Sequence, residues 1–403
     1  MHGADLFFFF PNKTGVQRKL SNIHQASILQ ATYRQSLIKT DTFIQPSQNS
    51  KKYNNSMIRT MDLVITQLTT DTSQTPLQKI GQGFCGTVWA SAREGGKAGS
   101  QIALKREDGG PGRSLLHEHQ IHEQLLDELR TNTNTGHVAH FRVNLPFCHG
   151  RLEQTSTQWP RILPRLPPGF EPCNALVNEK IPSMPIRVRT LLAGKYHPDS
   201  KDELEYISNE HCLVRPYLGR RRHRQQATVA TRMRPNRLSV FSLRNFPLHV
   251  DQMEELGLDT EKYAIAMADA LSFLHWAAMV DANDVEFVLA PPRHAAGAGV
   301  GIGSVQFESE TLGSHVMWML DFDCCRPMSM DEAGVRQAAT SFKRNDPFYP
   351  RFGSTHPADQ GLWDKFRSRF LQTSCSILTN REESVRKLPA MLMEEIERLS
   401  GGA

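Results

Sequence analysis

The stretch that decides the fold is Gly81-Gln82-Gly83-Phe84-Cys85-Gly86-Thr87-Val88, which matches the pattern G-x-G-x-x-G-x-V at every fixed position. Glycines at these positions let the backbone approach a triphosphate closely and donate N–H groups to it. A hairpin turn explains the same glycines, so the pattern alone is a weak signal. A predicted strand follows the loop where a dinucleotide-binding fold would have a helix, which argues against that fold.

A lysine follows this loop after one further hairpin. Lys105 ends a predicted strand at residues 101–105. A lysine that pairs with phosphates needs a carboxylate to hold it, and the predicted helix 115–129 offers Glu118 as the first choice and Glu123 as the second. These glutamates are five residues apart and cannot share one helix face. Each of them taken singly is equally well explained as a solvated acid on a surface helix.

Further along the chain, acidic residues lie next to predicted apolar elements. Asp281 comes after a long predicted helix at residues 263–278, and Glu286 comes five residues later. Asp321-Phe322-Asp323 follows a predicted buried strand at residues 316–320. A carboxylate can accept a proton from an attacking hydroxyl or bind Mg²⁺ through oxygen.

In type and order, these elements resemble the nucleotide site of protein kinases. The resemblance implies an α+β, bilobal protein-kinase-like fold with a small β-rich N-lobe and a larger helical C-lobe. The succession of strands first and helices later favours the same architecture. The implied cofactors are ATP and Mg²⁺. The implied roles are catalytic for Asp281 and Lys105, metal-binding for Asp321 and Glu286, and nucleotide-binding for Gly81, Gly83, Gly86, Val88, Lys105, Glu118 and Glu179.

The site departs from an ordinary protein kinase at several positions. Met279-Val280 replace the His-Arg before the catalytic Asp, Glu286 replaces a metal-binding Asn, and Asp323 replaces a glycine. No Ala-Pro-Glu closes an activation segment, and the short segment after Asp321 looks more like small-molecule kinases of the aminoglycoside-phosphotransferase kind. Two hypotheses remain open. One is an atypical ATP-dependent phosphotransferase with a protein or small-molecule substrate, and the other is a pseudokinase interaction module without phosphotransfer.

The chain also resembles an uncharacterised fungal family, a domain of unknown function whose members are sometimes labelled zinc-finger proteins. With the glycine loop, the likeness covers most of residues 78–375 and implies kinship without an activity. The strings that carry it are Cys212-Leu213-Val214-Arg215-Pro216-Tyr217-Leu218-Gly219-Arg220-Arg221, Phe241-Ser242-Leu243-Arg244-Asn245-Phe246-Pro247-Leu248, Ala270-Leu271-Ser272-Phe273-Leu274-His275-Trp276, Asp281-Ala282-Asn283-Asp284-Val285-Glu286-Phe287-Val288-Leu289, Asn345-Asp346-Pro347-Phe348-Tyr349-Pro350 and Glu179-Lys180-Ile181-Pro182.

The chain divides into three predicted parts, an extension marked by its composition and two lobes implied by the resemblance to kinases. Low apolar periodicity and many Gln, Ser and Asn residues predict a disordered N-terminal extension, for which a mitochondrial transit peptide is the alternative. The predicted parts are the extension 1–73, a kinase-like N-lobe 74–182 with an insertion at 150–172, and a kinase-like C-lobe 183–403 with an Arg-rich loop at 220–240 and a Gly/Ala-rich loop at 291–314.

The net charge of +5 is unevenly distributed, because residues 220–244 hold eight arginines and no acidic residue. Such a run could bind a polyanion, namely an acidic or phosphorylated partner or nucleic acid, or act as a nuclear-import signal. A solvated loop explains it as well. An adaptor that acts in the nucleus or on nucleic acid through these arginines is therefore a third, weaker hypothesis.

Seven cysteines occur without any Cys-x-x-Cys pair, so neither a disulfide framework nor a zinc site is expected. No apolar run approaches the length that spans a bilayer, and we expect no membrane partner. These features predict an intracellular protein, cytoplasmic or nuclear.

Overall fold

The structure is a computed structural model that describes residues 75–91, 101–135, 141–198, 207–222, 241–293 and 305–401. These residues form a mixed α+β arrangement of two small sheets and several helices, which confirms the predicted fold class at this level. All of them belong to one unit, Thr60–Ala403. The predicted extension 1–73 lies outside the described residues, as do residues 223–240 of the Arg-rich loop and the central part of the Gly/Ala-rich loop.

The first sheet has five antiparallel strands in the order β1-β2-β3-β5-β4. Val88 lies opposite Lys105 in the pairing of β2 with β3, so the last residue of the glycine motif is the neighbour of the lysine. The strands are β1 (Leu77–Gln82), β2 (Thr87–Ser91), β3 (Ile102–Arg106), β4 (Cys148–Leu152) and β5 (Ala175–Glu179).

The second sheet has the order β7-β6-β8-β9, with β6 and β7 parallel and the other neighbours antiparallel. Glu286 lies opposite Leu320, the residue before Asp321, so Glu286 and Asp321 are at the same end of the β8–β9 pair. The strands are β6 (Val214–Tyr217), β7 (Phe246–His249), β8 (Glu286–Ala290) and β9 (Val316–Leu320).

Ten α-helices occur in the described part of the chain. The predicted helix 115–129 is confirmed as the first of them. None of the described helices combines the length and the apolar character needed to cross a bilayer. The helices are α1 (Leu115–Thr135), α2 (Trp159–Ile162), α3 (Ile186–Tyr196), α4 (Ile207–Glu210), α5 (Val250–Glu255), α6 (Thr260–Ser272), α7 (Glu332–Arg344), α8 (Pro357–Ile377), α9 (Glu383–Arg386) and α10 (Leu388–Gly401).

The segment 150–172, predicted to be an insertion, contributes to the core of the first sheet. It contains part of β4 and the helix α2. The side chains of Trp159 and Ile162 are buried in the cluster that contains Trp89 and Leu104. Burying apolar side chains of this size stabilises the folded state by roughly 1.5–3 kcal/mol each. This segment therefore helps to hold the sheet that carries the glycine loop.

Helix α6 leads to Asp281, one of the residues predicted for the site. Asp259 caps it by accepting a hydrogen bond from the Lys262 N–H at 3.0 Å. The helix continues into one π-helical turn, where the His275 Nδ1–H donates to the Val280 carbonyl at 2.9 Å. Burial lowers the pKa of His275 to about 4, so the ring stays neutral near pH 7. This hydrogen bond fixes the turn that precedes Asp281.

Candidate functional site

Nine of the ten residues predicted for the site line one cavity of about 370 Å³. The cavity takes its walls from the first sheet, from α1 and from the ends of β8 and β9. Its volume is within the range of small-ligand pockets. The residues brought together are Gly81, Gly83, Gly86, Val88, Lys105, Glu118, Glu179, Glu286 and Asp321. Asp281 is not part of this lining.

Lys105 lies at the centre of an ion-pair network. Its Nζ is 2.7 Å from Oε2 of Glu118 and 2.8 Å from Oδ1 of Asp321. The Glu118 side chain is 4% exposed, and burial raises its pKa to about 7 against the opposing effect of Lys105. Burial alone would lower the pKa of Lys105, but the two carboxylates raise it above its ordinary value, so the lysine is charged. The predicted Lys105–Glu118 pair is therefore present, while Glu123 interacts with Cys148.

The glycine loop is held against the segment that follows β3. The Asp108 carboxylate accepts hydrogen bonds from the Thr87 N–H and hydroxyl at 2.8 and 2.7 Å. Gly86 has a φ of +154°, and a Cβ there would lie 2.0 Å from the Arg106 carbonyl oxygen. At Gly83, in contrast, a Cβ would meet no atom within 4 Å. Gly86 is thus required by packing within the chain, and Gly83 faces open space.

Arg113 lies across the acidic side of the cavity. Its Nη1 is 2.7 Å from Oδ1 of Asp323 and its Nη2 is 3.2 Å from Oδ2 of Asp284. The guanidinium also lies over the Phe84 ring at 5.2 Å from the centroid, which connects the glycine loop to the acids. The Cys324 thiol completes a group whose ligating atoms, with those of Asp284 and Asp323, lie within 4.8 Å of one another. This group could hold a cation other than the arginine.

Glu286 is paired with an arginine from β6. Both of its carboxylate oxygens are 2.5 Å from Nη2 of Arg215. Burial raises the pKa of Glu286 to about 7, and Arg215 offsets this only in part. The predicted metal ligand is therefore present in the cavity, but it is bound to a cation of the same chain.

Asp281 is buried and lies outside the cavity lining. Its Oδ1 accepts hydrogen bonds from the backbone N–H groups of Asn283 at 3.1 Å and Arg326 at 2.9 Å. Its Oδ2 accepts one from the Gln337 side chain at 2.9 Å. These bonds give the carboxylate a role in joining two loops and α7. Asp284, three residues later, lines the cavity with half of its side chain exposed.

Glu179, which also lines the cavity, forms an ion pair with Arg293. Its carboxylate is 2.7 Å from Nε of Arg293 and accepts the Phe147 N–H at 2.9 Å. The Arg293 guanidinium also lies over the Phe147 ring at 4.2 Å and over the Trp318 ring at 4.8 Å. The Glu179 carboxylate thus fixes the end of β5 by ion pairing.

Two further groups of side chains in the cavity lining are apolar. One set of side chains comes from the first sheet, and a second set packs with the second sheet. Apolar side chains from two sheets suit a flat heterocyclic ring, which gains by leaving water. The side chains are Ile80, Val88 and Ala103 from the first sheet, and Ile181, Leu213 and Leu320 beside the second.

Arg113, Arg215 and Asp284 were not predicted for the site. Arg113 lies in a Gly/Pro-rich loop without a pattern that would indicate a functional residue. It contacts Asp323, which is 210 residues away in sequence. Arg215 and Asp284 stand in the strings that carry the family resemblance, but that resemblance gives no roles.

The structure describes only the first three residues of the predicted Arg-rich loop and, beyond the loop, Arg244. Arg221 is 2.6 Å from both Glu254 and Asp359, and Arg222 is 2.8 Å from Asp251. The Arg244 side chain donates to the Lys79 carbonyl at 3.2 Å. These three arginines therefore bind partners within the chain. Residues 223–240 lie outside the described part.

A family model described as "Zinc finger protein", which represents a domain of unknown function, matches residues 317–382. The matched region begins in β9 and includes Asp321-Phe322-Asp323, α7 and α8. No curated protein matches the chain. The family description names no reaction, so the function has to be argued from the cavity.

Proposed function

We propose that the chain is a kinase-like nucleotide-binding protein that holds ATP with Mg²⁺ in this cavity. The proposal includes a bilobal protein-kinase-like fold, with a small β-rich N-lobe built on the first sheet and a larger helical C-lobe that contains the second. The observation that carries it is the position of Lys105. A charged lysine is held between Glu118 and Asp321 in a cavity that a G-x-G-x-x-G-x-V loop helps to line. That combination suits a phosphate group with an adjacent metal ion.

The charge of the cavity favours a metal-bound nucleotide over a free anion. Six carboxylates line it (Glu118, Glu179, Asp284, Glu286, Asp321 and Asp323), against four basic side chains (Lys105, Arg113, Lys180 and Arg215). A free triphosphate would be repelled by the excess of carboxylates, whereas Mg²⁺ would neutralise part of it. In this proposal Asp321 binds the metal together with Glu286, and the apolar walls hold the base.

The ligand would have to rearrange the arginines that now pair with the acids. Arg113 bridges Asp284 and Asp323, and Arg215 holds Glu286. A metal bound by Asp321 and Glu286 would compete with Arg215 for Glu286, and a phosphate would compete with Asp284 and Asp323 for Arg113. Binding would therefore be coupled to movement of the loop that carries Arg113.

Nucleotide binding without phosphotransfer is the activity that the arrangement favours. The predicted proton acceptor, Asp281, uses both oxygens in hydrogen bonds and lies outside the cavity lining. An atypical ATP-dependent phosphotransferase is the second candidate, because Asp284 presents a half-exposed carboxylate to the same space. Its substrate would be a protein or a small molecule.

One experiment separates these two activities. ATP binding is measured by calorimetry with and without Mg²⁺, and ADP formation is followed in the same samples. The proposal expects binding that depends on the metal and no ADP above the enzyme-free blank. ADP formation, with the phosphoryl group passed to water or to the protein itself, that is lost in Asp284→Asn or Asp281→Asn would establish phosphoryl transfer instead. Absence of ATP binding by the folded protein would reject both.

A further inference from the structure

A second group of metal-ligating side chains lies outside the cavity lining, where α1 packs beside β4. His119 and Glu123 are four residues apart on α1, and Cys148 is the first residue of β4. The ligating atoms of these three side chains lie within 4.8 Å of one another, and all three are partly buried. Residues four apart on a helix share one face, so the helix presents an imidazole and a carboxylate together to the strand.

The three donors match the chemistry of a zinc site with an open position. Imidazole nitrogen, thiolate sulfur and carboxylate oxygen bind Zn²⁺ at about 2.0–2.3 Å, and sites with three protein ligands keep a fourth position for water. Ligands at those distances around a tetrahedral centre are about 3.4–3.7 Å apart. The side chains therefore need only small rotations to reach a common ion.

The surroundings of the group also favour a cation. The Cys148 side chain is hydrogen-bonded to the Glu123 carboxylate. The carboxylates of Glu118 and Asp127 add negative potential at Cys148 and Glu123 respectively, although Arg130 opposes it at Glu123. A divalent ion would replace the thiol proton and be attracted by these acids.

We propose that His119, Glu123 and Cys148 form a binding site for a zinc-class divalent metal ion. None of the three residues lies in the segment 317–382 that the family model matches. The absence of Cys-x-x-Cys led us to expect no zinc, but this site would join a helix and a strand and needs no such spacing. Since α1 also carries Glu118, an ion that joins α1 to β4 would fix the helix that holds Lys105.

Cobalt provides a direct test, because Co²⁺ bound to a thiolate gives a charge-transfer absorption band. The full chain is treated with a chelator and titrated with Co²⁺, then with Zn²⁺. We expect one equivalent of Co²⁺ to produce the band and Zn²⁺ to abolish it by displacement. The band should be lost in Cys148→Ser and in His119→Ala. It should be retained in Cys324→Ser, which changes the thiol beside Asp284 and Asp323, and in Cys375→Ser, which removes an exposed cysteine on α8.

Thiol alkylation of the parent protein gives a readout that needs no variant. Zn²⁺ should slow the modification of Cys148 and leave that of Cys375 unchanged, as measured by mass spectrometry of the digested protein. The proposal is overturned if the folded parent gives no charge-transfer band, if the band survives in Cys148→Ser, or if Zn²⁺ leaves the alkylation of Cys148 unchanged.

Discussion

At the scale of single residues, the acids around the cavity should have separable roles. Asp321→Asn removes the carboxylate proposed to hold Mg²⁺, so nucleotide affinity should lose its dependence on the metal. Glu286→Gln should cause an intermediate loss, because Glu286 would first have to leave Arg215. Asp281→Asn should leave nucleotide affinity and its metal dependence close to those of the parent, since the carboxylate lies outside the cavity lining. Calorimetry with and without Mg²⁺ measures all three variants.

The same metal dependence in the three variants as in the parent would show that this cluster is not the metal site. A loss of metal-dependent binding in Asp281→Asn alone would show that Asp281 is needed for metal binding and that Asp321 and Glu286 are not.

Glu286 should also give the protein a stability that depends on pH. Its pKa is raised from 4.5 to about 7 in the folded protein, so the native state binds a proton more tightly than the unfolded chain. The resulting stabilisation is complete below pH 4.5 and is lost as the pH rises through 7. Glu286→Gln cannot titrate. The free energy of unfolding of the variant minus that of the parent should therefore rise between about pH 5 and 8, by on the order of 3 kcal/mol.

Urea unfolding of both proteins at a series of pH values measures this difference. A constant difference over that range, or one that falls with pH, would show that Glu286 ionises normally in the folded protein.

At the scale of elements, the glycine loop offers a matched pair of substitutions. Gly86→Ala would place a Cβ 2.0 Å from the Arg106 carbonyl at a φ of +154°, whereas Gly83→Ala would meet open space. We expect Gly86→Ala to lower the free energy of unfolding by about 1–3 kcal/mol and Gly83→Ala to change it little. Equilibrium denaturation compares the two variants. An equal effect of both would mean that the contact of the loop with Asp108 and Arg106 is not maintained in solution.

The arginine-rich segment is a second element that can be tested. Arg221 and Arg222 are paired within the chain, so polyanion binding would rest on the other arginines. If the segment binds a single-stranded oligonucleotide, the affinity should fall steeply with salt. Changing Arg224, Arg232, Arg234 and Arg237 to Gln should then reduce the slope of log affinity against log salt concentration by up to about 3. The control is Arg221→Gln, which should lower stability and leave the slope unchanged.

Fluorescence anisotropy over a range of salt concentrations provides the slopes. Affinity that is insensitive to salt and to the four substitutions would show that these arginines do not bind a polyanion, and would favour the interpretation of a solvated loop.

Elements with a strong local pattern could be predicted from the sequence. The glycine motif, the strand that ends near Lys105 and the helix that carries Glu118 are all marked by local spacing. Lys105 and Glu118 are only 13 residues apart, so the pair followed once both elements were placed. The contacts of Arg113 and Arg215 join residues that are 210 and 71 positions apart, and no local pattern encodes them. The packing of segment 150–172 could not be predicted either, because its prolines interrupt any regular pattern around the buried Trp159 and Ile162.

At the scale of the whole molecule, the central claim is that one cavity binds a nucleotide and a metal ion together. Such a ligand binds the native state alone, so it must raise the melting temperature, with about 2.7 kcal/mol gained at a concentration one hundred times the Kd. Neither ATP alone nor Mg²⁺ alone should reproduce the shift, because the excess of carboxylates opposes the free anion. Lys105→Ala should remove most of the shift, since a charge-assisted contact to phosphate contributes roughly 1.5–3 kcal/mol. Lys262→Ala, on the exposed first turn of α6, is the control.

The most direct measurement is therefore thermal unfolding of the parent, Lys105→Ala and Lys262→Ala with ATP, Mg²⁺, both or neither. The proposed function predicts a shift with both ligands in the parent and in Lys262→Ala, and little or none in Lys105→Ala. A folded parent whose melting temperature does not change at several millimolar ATP and Mg²⁺, or an equal shift in all three proteins, would contradict it.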